Sequence, residues 1–285
     1  MDKIRFRSFA GISNGGKISI NGGKLTLDYI GAVTSPGHIT LGATSGNIFE
    51  MTSGIVHIKK SNPSSGAYAQ VIDFALGSLI NITGGKFILG DGSATGGVLS
   101  NGFKVINLSN SAFNKFAKLE LRLNTYTLNM QSDFAVSDSL ILTSGTLNPA
   151  NYNFQVNGIM ANNNVTFPTT MRMEIGGDKT YTLPNKIFTL KSLRINKTDG
   201  EVLSSNSLII DSLFLINGKL NTNTFGFRIN DLVDANLGVL SGTLNFLSIR
   251  SHKLPPIIRT TNPNGLTGSA NSTFGNTFVN FKLPS

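Results

Sequence analysis

The stretch GSLINITGGKFILG, Gly77 to Gly90, decides how this chain is read. It holds two short apolar runs, Leu79–Ile82 and Phe87–Leu89, separated by Gly84–Gly85. Short β-prone runs broken by a glycine pair predict strand, turn, strand. The same arrangement occurs earlier as KISINGGKLTL (Lys17 to Leu27) and as NIFEMTSGIVHI (Asn47 to Ile58). The turn glycine recurs at equal spacing, at Gly23, Gly54 and Gly85. One such unit cannot bury its apolar face alone, so a fixed step of this size predicts stacked repeats. Stacking sets Ile20, Met51 and Ile82 in one column and Leu27, Ile58 and Leu89 in another. Asn21, Thr52 and Thr83, just before the turns, are placed to form a polar ladder. Connections rich in Gly, Pro, Asn and Ser, at Thr34–Gly37, Ser61–Gly66 and Gly90–Gly97, are expected to leave the stack along one edge.

Further along the pattern changes. LTSGTLNPANYNFQVNGIM (Leu142 to Met160) and LINGKLNTNTFGFRINDLV (Leu215 to Val233) match when Leu142 is laid on Leu215. Identities then fall at Leu142/Leu215, Gly145/Gly218, Leu147/Leu220, Asn148/Asn221, Phe154/Phe227 and Asn157/Asn230. A further turn follows at Gly242, in LSGTLNFLSI. Helical periodicity is nearly absent. Even FNKFAKLELRL (Phe113 to Leu123) ends in the alternation Leu119, Leu121, Leu123 and reads as a strand. The expected fold is an all-β, elongated parallel β-solenoid, a right-handed β-helix as parallel crossovers usually are, with no helix longer than two turns. Residues 1–110 are expected to form coils at the Gly23–Gly54–Gly85 spacing. Residues 111–262 read as two copies of a longer solenoid repeat, 117–189 and 190–262. Residues 263–285 read as a terminal strand and loop continuing into a flanking region, because solenoids need capping units and this one runs close to both chain ends.

Composition fits strands. Of the 285 residues 31 are glycine, only 14% are charged, and 40% are hydrophobic, which is too apolar for a disordered chain. The absence of cysteine removes disulfides, thiolate zinc sites and thiol nucleophiles together. No apolar run approaches the roughly 20 residues of a membrane-spanning helix, so membrane insertion is not expected. MDKIRFRSFAG at the start lacks the apolar core of a signal peptide. The net charge of +9 is scattered, with a local excess at Arg172, Lys179, Lys186, Lys191, Arg194 and Lys197. Such an excess solubilises a strand-rich surface or attracts an anionic polymer. No nucleic-acid recognition motif accompanies it, so nucleic acid is not an expected partner.

β-Helices also carry polysaccharide-cleaving enzymes, which need paired carboxylates, or several carboxylates around Ca²⁺. The closest acid groupings here are Asp133/Asp138, Asp199/Glu201 and Asp231/Asp234. Asp138 recurs as Asp211 in the second long copy, and a residue repeated in each copy reads as a turn cap rather than a catalyst. His38, His57 and His252 share no metal-ligand spacing, and His57, between Val56 and Ile58, is expected to face outward. No catalytic, metal-binding or cofactor-binding residue is expected.

TSGTLNPANYNFQVNG and INGKLNTNTFGFRIND resemble the GTLNxNxxxFxVNG strand–turn–strand repeats of very large surface proteins of the Bacteroidota, including gliding-motility adhesins exported by the type IX secretion system. The resemblance covers residues 13–250 or so and implies a bacterial cell-surface, extracellular location. It further implies a non-enzymatic filament or adhesin stalk whose partner is a polysaccharide or solid surface. It also implies O-glycosylation at Asp-Ser-aliphatic sites. Ser139 and Ser212 match, each expected at a coil corner facing solvent, with Asp-Ser turn chemistry as the plainer explanation. The alternatives are a carbohydrate-active β-helix, lyase-like, using Arg172–Lys197 as an anionic-sugar groove, and a trimeric phage tail fibre or spike.

Overall fold

Runs of β-branched, Leu and Phe residues between glycine turns favour strands that pair through the backbone and turn one row of side chains inward. In the computed structural model every regular element among the described residues is a strand. The structure describes residues 4–6, 10–12, 15–27, 39–41, 47–59, 70–74, 79–92, 103–107, 114–130, 132–162, 165–183, 189–222, 227–241, 244–249 and 257–258. These fall into two compact units. One comprises Met1–Gln155 with Ala161–Phe167, the other Val156–Met160 with Pro168–Ser285.

The first unit is a parallel β-solenoid whose coils contribute to three ladders. In one, Ile18 lies opposite Phe49 and Phe49 opposite Ile80; Ile20, Met51 and Ile82 line up beside them. The second ladder sets Leu27, Ile58, Leu89, Leu121 and Leu142 in a single column. In the third, Ile39 follows Ala10 and Ile72 follows Ile39. That ladder continues through Phe103–Asn107, Leu128–Met130 and Leu147. Each ladder is parallel, so both expected apolar columns stand at the spacing of the turn glycines.

The step then shortens. Leu119 pairs with Leu140, and Leu128 with Leu147, so the coil takes up much less chain. The loss lies in the connection from the second ladder to the third. That connection takes residues 28–38, then 59–69, then 90–102, but only 122–126 and 143–145 in the two coils that follow. The ladders themselves persist. The long connections all leave from the same position in successive coils. Thr34–Gly37, Ser61–Gly66 and 93–97 lie outside the described residues, so the loops themselves are not characterised.

Inside the first unit Phe49, Phe87, Phe116, Phe134 and Phe154 touch in series, with ring centroids 6.0, 5.0, 5.8 and 4.9 Å apart and mostly edge-to-face. All five are buried. Edge-to-face rings gain about 0.5–1.5 kcal/mol per pair beyond area burial.

The second unit uses shorter coils throughout. Arg172 lies opposite Ser192 and Ser192 opposite Ser212. Ile175, Ile195 and Leu215 form an inward column, and Tyr181, Val202 and Leu220 another. The stack continues through Phe227–Ser241, Leu244–Ile249 and Ile257–Ile258. The repeat of the coil here is the short step from Ser192 to Ser212, not the long offset from Leu142 to Leu215.

Candidate functional site

The turns come first, because they set what can be displayed. Gly23, Gly54, Gly85, Gly145 and Gly218 all hold φ between +67° and +105°, which L side chains rarely adopt; Gly242 lies outside the described residues. At Gly54 a second requirement operates. A β-carbon there would sit 2.7 Å from the carbonyl of Gly22 in the preceding coil, so the turn has room for hydrogen only. At Gly23 nothing lies within 4 Å, so only the backbone conformation demands glycine. The expected polar ladder is present at its first step, where the Thr52 hydroxyl donates to Asn21 Oδ1 at 3.0 Å.

Several acids that look isolated in sequence are paired between coils. Glu50 accepts from Lys17, whose hydrogen bond holds the carboxyl below its usual range. Glu120 is almost fully enclosed and is clasped by Lys86 and Arg122. Burial alone would raise its pKa; the two cations bring it below the ordinary value. Glu174 meets Arg194 at 3.4 Å, yet burial dominates and keeps its pKa raised. Glu201 meets Lys219 at 2.8 Å, and that bond lowers its pKa. Asp133 accepts the Asn153 backbone N–H at 2.7 Å. Among the described residues no group of three His, Cys, Asp or Glu is placed to hold a metal ion. No helix there is long and apolar enough to cross a membrane.

Asp138 and Asp211, read in sequence as turn caps, lie within the strands Phe134–Asn148 and Leu208–Asn221 and reach across to the preceding coil. Asp138 meets Lys118 and Asp211 meets Lys191, each at 3.2 Å. Lys118 and Lys191 are related by the same offset as Leu142 and Leu215, so the long repeat carries the whole ion pair. The sequence hides this because partners one coil apart are not neighbours in the chain. Ser139 and Ser212, beside these acids, are half-buried rather than facing solvent.

The basic segment is only partly a surface. Arg172, Lys179, Lys191 and Arg194 are exposed; Lys186 lies outside the described residues. Lys191 and Arg194 are in the ion pairs above. Lys197 is 1% exposed, which removes it from any contact surface. Its Nζ donates to the carbonyl of Gly176 at 3.2 Å and to that of Lys179, so it ties a turn together. Burial lowers its pKa, with Asp178 and Asp199 opposing. The alternation Ile195–Asn196–Lys197 already puts Lys197 on the inward side, a signal available in the sequence.

His57 also departs from expectation. It lies on the outer side of its strand, as alternation says, but is 6% exposed. Thr26, His57, Ile88 and Glu120 are register partners in successive coils, and all four are buried. Alternation assigns a side of the strand and says nothing about what covers that side. His38 and His252 lie outside the described residues.

Compared with family models, with curated proteins and with solved structures, the chain matches none.

Proposed function

We propose that this chain is a structural or adhesive segment of a bacterial surface filament and is not an enzyme. The observation that carries the reading is the use of its acids. Glu50, Glu120, Glu174, Glu201, Asp138 and Asp211 each face a Lys or Arg of an adjoining coil. Carboxylates committed to holding coils together supply neither an acid–base pair for glycoside cleavage nor an open Ca²⁺ cage. Repetition of one ion pair at Lys118–Asp138 and Lys191–Asp211 suits a spacer, where every coil does the same work, better than a catalyst placed once. The partner is an anionic polysaccharide or solid surface met by the exposed Arg172, Lys179, Lys191 and Arg194. Extracellular display and modification of Ser139 and Ser212 belong to the same reading.

The test is incubation of the purified chain with acidic polysaccharides, measuring both retention and release of unsaturated or reducing ends. Retention that weakens with salt and with Arg172→Ala/Arg194→Ala, without cleavage, is the expected result. Turnover that is lost on mutation of Lys191 and Arg194 overturns it.

A further inference from the structure

His57 is buried, yet its imidazole is a polar group with two nitrogens to satisfy. Nε2 lies 3.0 Å from the carbonyl oxygen of Gly90, one coil onward. A carbonyl only accepts, so Nε2 carries the proton and Nδ1 is the unprotonated nitrogen. Nδ1 is buried and has no hydrogen-bond partner. The residue it holds is the point where the chain leaves the second ladder. Gly90 donates its N–H to Ile58 O at 2.8 Å, and Gly92 donates to Arg122 O at 2.9 Å. Gly90 has φ +89° and packs so tightly on the Arg122 carbonyl that no side chain fits. The exit turn Gly90–Gly92 is therefore fastened to the coil before it, through Ile58 and His57, and to the coil after it, through Arg122.

The charges around His57 are one-sided. Lys24 on the preceding coil, Lys59 at the end of its own strand and Arg122 two coils on all act against a positive imidazole. The nearest carboxylate in its column, Glu120, already binds Lys86 and Arg122. We propose that His57 is an acid-released clasp: proton uptake at Nδ1 puts an unpaired charge under cover among cations, and the Gly90–Gly92 turn loosens from its neighbouring coils.

Burial is the main cause lowering the His57 pKa, with the three cations adding to it and the Gly90 bond opposing. A folded-state pKa below the unfolded value of about 6.5 means that the unfolded chain binds the proton first. The His57 contribution to stability is therefore complete above about pH 6.5 and is lost as pH falls towards the lowered folded value.

The experiment compares the full chain with His57→Gln, whose amide N–H can replace the Nε2 donor but takes up no proton. Between pH 7.5 and 5 the wild-type melting temperature should fall more than that of the variant, and the protection of the Gly90 and Gly92 amides, each rate taken relative to the intrinsic rate at that pH, should drop at least several-fold more in wild type. An NMR titration of the His57 ring in wild type provides a second reading should the variant fail to fold, with a midpoint below that of free histidine expected. Parallel pH profiles of the two proteins, or a ring midpoint at or above 6.5, overturn the proposal.

Discussion

The first unit and the second bury their inward columns alike, but differ in the outer columns that hold His57 in the one and Ser192 and Arg194 in the other. In the first unit the outer column Thr26, His57, Ile88, Glu120 is 5–7% exposed. In the second, Arg172 and Arg194 are exposed, and Ser192, Ser212, Glu174 and Phe214 only half-buried. The inward ladders set the fold, since both units keep them, while the outer side is free to become a second buried layer or a charged surface. Buried polar residues on the first unit's outer side each need a partner, and this is where Glu120 acquires two cations and His57 a carbonyl. On the second unit the outer side carries the exposed pair Lys191–Asp211, worth about 0–1 kcal/mol, and the half-buried pair Glu174–Arg194.

The largest expected effect tests the shared part. Phe87→Ala in the first unit and Leu193→Ala in the second remove fully buried side chains. Losses of about 3–5 and about 2–5 kcal/mol follow from cavity formation, measured by denaturant unfolding. A loss below about 1 kcal/mol at either site would mean that the unit concerned lacks a sealed interior.

A second comparison sits within the basic segment. Lys197→Ala should cost about 2–3 kcal/mol, because it strips a buried turn of its donor and removes the packed stem, whereas Lys191→Ala should cost under about 1 kcal/mol. Equal small costs would return Lys197 to the surface, where its charge alone would place it.

The contrast between Lys197 and Lys191 shows what is legible. The spacing of Gly23, Gly54 and Gly85 and the columns Ile20–Met51–Ile82 and Leu27–Ile58–Leu89 can be read from sequence, because period and backbone chemistry are local signals. The shorter step of the second unit is hidden. It is carried by pairs such as Leu193/Leu213, and the stronger identities between Leu142–Met160 and Leu215–Val233 mask them. The ion pairs are illegible for a related reason: Lys118 and Asp138 are one coil apart in space and distant in the chain. Burial of His57 is out of reach, since coverage depends on segments outside its own strand.

A narrower difference separates two reasons for glycine. Gly23→Ala meets only the backbone penalty of a positive φ, about 1–2 kcal/mol. Gly54→Ala adds a clash with the Gly22 carbonyl and should cost about 1–2 kcal/mol more. Thermal melts of the two variants give the difference directly, and equal costs would show that adjacent coils are not in contact at the turn.

Parallel coils of two lengths make a direct prediction about register. The chain has no cysteine, so introduced pairs report without background. Ser19 lies opposite Glu50 in the long coils, and Ser192 opposite Ser212 in the short ones. Register partners in adjacent parallel strands lie about 4.8 Å apart, within disulfide reach. Under mild oxidation Ser19→Cys/Glu50→Cys and Ser192→Cys/Ser212→Cys should each close an intramolecular disulfide in the native protein. The off-register pair Ser19→Cys/Asn81→Cys, two coils apart, should not. Failure of both register pairs to close, or closure only between molecules, would contradict the stacking of parallel coils on which the rest depends.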